Sequence, residues 1–109
     1  MSIPVRILPR AKTDFREIFT YIEVRSPAGA DRWRVAFERE LRRVCENPVL
    51  FGMAEEDHLT HFQLRQFLFK TKHGLAYRAV FTVIEGEVII LRIRGPGQPP
   101  LNSGEMPLT

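Results

Sequence analysis

The apolar residues of this chain change period once, near residue 62, and that switch limits what it can fold into. Before it they recur at helical spacing. Ala11, Phe15, Ile18 and Ile22 form one stripe, and Ala30, Trp33, Phe37, Leu41 and Val44 form a second. Asp14 and Glu17 near the start of the first stripe and Arg25 at its end suit the helix dipole. Ser26-Pro27 reads as an N-cap followed by proline at the first helical position, so the second helix begins at once. Asn47-Pro48 stops it. Two helices joined so tightly predict an antiparallel hairpin. Ahead of them, residues 3–8 alternate well enough for a short strand. Pro4 lacks an amide donor, so this strand begins late or lies at an edge, and Pro9 ends it.

After residue 62 the period is two. Residues 48–61, with Gly52 and the cluster Glu55-Glu56-Asp57, read as a loop. Phe62, Leu64 and Gln66 then alternate with Gln63, Arg65 and Phe67 as far as Phe69-Lys70. Lys72-His73-Gly74 marks a turn into the β-branched and aromatic run from Leu75 to Ile84. Glu85-Gly86 is a two-residue hairpin signal, and Val88 to Arg94 makes the last strand. The expected fold is α+β: an N-terminal strand, an antiparallel helix hairpin, then a three-stranded antiparallel meander, with the helices on one face of the sheet. Residues 1–94 form the expected domain. Residues 95–109, with four prolines and three glycines, are expected to be an extended or disordered tail.

A length of 109 residues allows one domain. No apolar run reaches the roughly 18 residues of a membrane span, and no segment has signal-peptide character, so a cytoplasmic protein without membrane contact is expected. Cys45 is the single cysteine, which excludes an internal disulfide and any cysteine metal cluster. Its place beside the second stripe predicts a buried structural thiol. The net charge is +3, and residues 62–94 carry the whole surplus. Thirteen of the sixteen cations are arginine, the side chain suited to bidentate contact with phosphate or carboxylate. An acidic or phosphate-bearing partner follows, with solubility and surface ion pairs as the alternative reading.

The ordered motifs resemble a known family. They are Leu8-Pro9-x-Ala11, Asp14-Phe15-x-x-Ile18-x-x-Tyr21-Ile22, Pro27-x-x-Ala30, Pro48, Leu64-Arg65, Gly74, Tyr77-Arg78-x-x-Phe81 and the strand Val88 to Ile93. Over about residues 3–94 the chain is similar to the RelE/ParE superfamily of toxins from bacterial type II toxin–antitoxin pairs, nearer the ParE branch. The resemblance implies a toxin blocked by a cognate antitoxin folded over its active surface, with operator DNA reached only through that antitoxin. ParE-type members resemble inhibitors of DNA gyrase. RelE-type members cut messenger RNA in the ribosome, and a third reading is a non-toxic partner of the antitoxin on operator DNA.

Alternation sorts the strand residues. Tyr77, Ala79, Phe81 and Val83 share one face, as do Ile89, Leu91 and Ile93. With those faces against the helices, Arg78, Arg92 and Arg94 point to the open side of the sheet, and Arg65 joins them. These four are the candidate binding residues for phosphate or an acidic antitoxin segment. Cutting RNA through its 2′-hydroxyl needs a base, cations for the developing charge and an acid. By the resemblance Arg65 and Arg78 stand at the positions of the charge-stabilising residues, which makes them weak catalytic candidates. Beyond Arg94, however, the tail has no Lys, Arg, His or Tyr, and only His73 and Tyr77 are near. That departure counts against a nuclease. His58 and His61 lie three apart in a segment read as a polar loop, so no metal is expected, and no cofactor either. Trp33 and Phe37 belong to the core between the helices. Arg32, Arg39 and Arg43 on the opposite helix face are possible antitoxin contacts. Phe67-Leu68-Phe69 either exposes an apolar residue at a partner interface or lies in a strand covered on both faces.

Overall fold

Residues 2–107 are described by the structure, a computed structural model. Strand β1 (Val5–Ile7) leads into helix α1 (Pro9–Arg25), with Pro9 at its first turn, and Ser26 alone separates α1 from α2 (Pro27–Glu46). The Ser26 hydroxyl accepts the Gly29 amide at 2.9 Å, and proline follows at the first helical position. One residue therefore ends one helix and caps the next. Strands β2 (Arg65–Phe69), β3 (Tyr77–Ile84) and β4 (Glu87–Arg94) complete a four-stranded sheet of order β1-β4-β3-β2. The meander is antiparallel, and β1 joins its edge parallel to β4. Glu85 and Gly86 both have positive φ, 51° and 75°, as a type I′ hairpin turn requires. No helix among the described residues is long and apolar enough to cross a membrane.

Both helices lie on one face of the sheet, α1 over β4 and α2 over β2. Their stripes close on an aromatic core. Trp33 sits 4.8 Å from Phe15, 5.4 Å from Phe69 and 5.5 Å from Tyr77 between ring centroids, and Phe37 packs on Phe15, Phe67 and Phe69. Each fully buried large apolar side chain stabilises by about 1.5–3 kcal/mol. Cys45 is buried in this layer, and burial pushes its thiol above the usual value.

The pairing of β3 with β4 corrects the simple alternation. Val80 faces Arg92 and Phe81 faces Ile90, so Leu91 is an extra residue, a β-bulge. Past it the parity of β4 reverses. Val88, Ile90 and Ile93 line the helix layer, whereas Leu91 turns to the other face with Arg92 and Arg94.

That other face is not open. Of the two short 3₁₀ turns in the segment that follows α2, Pro48–Leu50 stays beside α2 with Phe51 in the helix layer, while Glu55–Leu59 lies with Ala54 and the tail against the other face. Leu101 and Met106 are buried with Ala54, Leu64, Val80 and Leu91 in a second core. Residues 95–107 are docked on this face. Gly95-Pro96-Gly97-Gln98 turns the chain back, with Gly97 at φ 79° and the Gln98 amide donating to the Gly95 carbonyl at 3.3 Å, a type II arrangement. A further 3₁₀ turn, Ser103–Glu105, is closed by a reciprocal capping box between Asn102 and Glu105.

Glu56, fully buried, holds these pieces together. Its two oxygens accept from Arg78 at 2.9 and 2.5 Å, and Oε2 also accepts the Leu101 amide at 2.8 Å. Burial alone raises the Glu56 carboxyl. The hydrogen bonds from Arg78 and Leu101, with the Arg78 charge, outweigh it and leave the group below its usual value. Because the folded carboxyl titrates below the unfolded one, which lies near 4.3, its stabilisation is present above that value and is lost as pH falls through the folded one. The stability gap between the wild-type chain and Glu56→Gln, measured by denaturant unfolding, is therefore largest at neutral pH and narrows below about pH 4. Ser26→Ala removes the cap and lowers unfolding stability by about 1 kcal/mol in the same measurement.

Candidate functional site

The four arginines expected on one open face are divided between two faces, and three of them are enclosed. Arg65 is paired with Phe81 across the ladder, which puts it on the helix side with Phe67 and Phe69. There its guanidinium donates to the Phe51 carbonyl at 2.6 Å. Arg78 lies opposite Leu68 and Arg94, on the other side. Its guanidinium binds Glu56 and donates to the Gln66 side chain at 3.2 Å.

Arg92 and Arg94 are only 5% and 7% exposed. Arg92 reaches round the sheet edge to Asp14 of α1, at 2.7 and 3.1 Å, and donates to the Glu105 carbonyl at 2.9 Å. The same Asp14 carboxylate accepts the Ile93 amide at 2.9 Å, capping the part of β4 that β1 is too short to cover. The hydrogen bond it donates to Asp14 is the main reason the Arg92 guanidinium holds its proton even more firmly than usual. Arg94 donates to the Pro99 carbonyl at 2.7 Å and lies 3.9 Å from Glu105. Buried guanidinium groups survive only with such partners. Sequence reasoning missed both carboxylates. Asp14 was legible only as a helix-dipole residue, and Glu56 only as part of an acidic loop.

The possible acid–base groups are also dispersed. Tyr77 packs on the helix side among Trp33 and Phe69, opposite in direction to its neighbour Arg78. Burial, with a smaller contribution from Tyr21, pushes its phenol above the usual value, further from proton transfer near neutrality. His73 is exposed in the turn before β3. His58 closes a local turn, its Nδ1 at 3.0 Å from the Glu55 carbonyl. Of the run Phe67-Leu68-Phe69, both rings are buried and Leu68 is 55% exposed.

An apolar concavity lies between the helices. Phe15 and Phe19 of α1 and Phe37 and Leu41 of α2 wall an apolar groove of about 600 Å³, floored by Ile7 and Ile93. Lys12, Arg16, Arg34 and Glu38 also line it. Arg34 is engaged by Asp31 at 2.6 Å and Glu38 at 2.5 Å, which leaves Lys12 and Arg16 as rim cations with no carboxylate partner among the described residues. An apolar trough with a basic rim suits an amphipathic helix carrying acidic residues beside its apolar face.

Comparison with known proteins agrees with this architecture. A mutant of the E. coli toxin RelE in the free state, with two arginines replaced by alanine, superposes with a TM-score of 0.54 and 16% sequence identity. The match covers 89% of this chain and 86% of that one, and at such identity it is a likeness of fold. No curated protein matches the chain. Residues 5–98 match the family described as ParE toxin of type II toxin-antitoxin system, parDE. With nearly the whole sheet-and-hairpin domain inside that match, the chain belongs to the ParE toxin family of type II toxin–antitoxin systems.

Proposed function

We propose that this chain is a cytoplasmic toxin that arrests growth by binding an essential target, DNA gyrase, and is silenced by a cognate antitoxin. The observation that carries this reading is the division of the sheet arginines. Cleavage of RNA needs its cations on one accessible surface, next to groups that exchange protons near neutrality. Here Arg78, Arg92 and Arg94 are enclosed by Glu56, Asp14 and the tail, while Arg65 faces the other way. Inhibition by binding needs only a complementary surface. Arg65, with no carboxylate partner among the described residues, is the member of the four that keeps its charge for a target. The groove between α1 and α2 is the place where an antitoxin helix is best accommodated.

Induction of the chain in a bacterial host, with DNA and protein synthesis followed together, is expected to show DNA synthesis falling first. Translation falling first, with transcripts cut by purified ribosomes in the presence of the chain, overturns this reading.

The assignment of Arg78 to structure is tested separately. Arg78→Ala leaves the buried Glu56 charge without its partner and is expected to cost about 3–5 kcal/mol of unfolding stability. Arg65→Ala loses one hydrogen bond to a backbone carbonyl and costs about 1 kcal/mol. Equal and small losses in chemical denaturation contradict the structural role given to Arg78.

A further inference from the structure

Strand β2 is an edge of the sheet, and only part of it is covered. The Gln66 amide donates outward to the Gly52 carbonyl at 3.0 Å, and the Ala54 amide donates to the Leu64 carbonyl at 2.7 Å. Alternation along the ladder puts the Leu68 amide and carbonyl on that same outer side. They have no backbone partner among the described residues. An uncovered stretch of strand edge is a template for another strand.

The ground beside this edge is strongly basic. Between β2 and the outer face of α2 runs a shallow trough with Val35, Ala36 and Leu68 as its apolar surface. Arg32, Arg39, Lys70 and Lys72 line it, all four exposed. None of the four has a carboxylate within 4.0 Å among the described residues, and the acids nearby are already engaged. Arg34 holds Asp31 and Glu38, and Arg43 holds Glu40 at 2.7 Å. Four cations lie beside one open strand edge, and the two acids that line the same trough, Asp31 and Glu40, are held by Arg34 and Arg43.

We propose that the outer edge of β2 and the trough beside it form a docking site for an acidic, extended segment of a partner protein, which adds as a fifth strand at Leu68. Main-chain bonds to Leu68 supply the pairing, alternate apolar side chains rest on Leu68 on the face away from the helices, and the intervening carboxylates turn to the helix side, where Arg39, Arg32, Lys70 and Lys72 lie. A nucleic-acid backbone would satisfy the cations but leave the Leu68 amide and carbonyl unpaired, so a strand of protein fits more of what is present. In the proposed toxin pair this segment comes from the antitoxin, an assignment that rests on the toxin reading. The site lies apart from the groove between the helices.

A labelled peptide of alternating glutamate and valine tests it, titrated by fluorescence anisotropy with the purified full-length chain. A lysine–valine peptide and a labelled single-stranded oligonucleotide are run in parallel, and amide exchange is read by NMR. The glutamate peptide is expected to bind where the lysine peptide does not, and to slow exchange of the Leu68 amide. The double variant Arg39→Glu, Lys70→Glu is expected to bind it about tenfold more weakly. Leu68→Pro removes an amide that β3 does not use and is expected to weaken binding as well. Should that variant fail to fold, the charge-reversal pair decides. No binding of the glutamate peptide overturns the proposal, as does binding that leaves the Leu68 amide exchanging freely. Preferential binding of the oligonucleotide, lost in the charge-reversed variant, also overturns it by making this a nucleic-acid surface. Because the titration uses isolated protein, it gives its answer whether or not expression arrests growth.

Discussion

A buried carboxylate must be paired and hydrogen-bonded or it destabilises the fold, and Glu56 meets that demand by drawing on three separate parts of the chain. It arrives on a 3₁₀ turn, takes both hydrogen bonds it needs from Arg78 on β3, and accepts the amide of Leu101 from the tail. Beside this link, Leu64, Val80 and Leu91 of the sheet pack with Leu101 and Met106 of the tail. The sheet thus carries an aromatic layer under the helices and a smaller aliphatic layer under the loop and tail.

Closing the second face decides what the surface has left for function. The cations of β3 and β4 become internal ties, and Asp14 extends the same pattern around the sheet edge by joining Arg92 to α1. What remains outside is the basic-rimmed groove between α1 and α2 and the cationic trough along β2. These are the two surfaces to which the proposals above assign partner proteins. The sheet-and-hairpin domain that carries them lies within the match to the ParE toxin family.

Much of the architecture was legible because it is local. The two apolar stripes, the Ser26-Pro27 junction and the Glu85-Gly86 hairpin each depend on neighbours within a few residues, and each formed as read. The site was far less legible because it depends on register and on distant partners. One extra residue at Leu91 reverses the parity of β4, and no local signal marks it. Arg65 was grouped with Arg78 by its neighbours in sequence, yet its pairing with Phe81 sets it on the opposite face. The tail has the composition of a loose segment, and among its described residues two separated apolar side chains, Leu101 and Met106, are buried. Their value depends on a second core that no periodicity announces.

The central claim is that the tail seals the second face of the sheet through Glu56. Native-state exchange of the Leu101 amide probes it most directly, since that proton is the one donated to the buried carboxylate. Protection close to that of the central β3 and β4 amides, lost only with global unfolding, is expected. Exchange at the rate of an unstructured peptide, with the β3 and β4 amides still protected, would contradict it and return Arg78, Arg92 and Arg94 to an open surface.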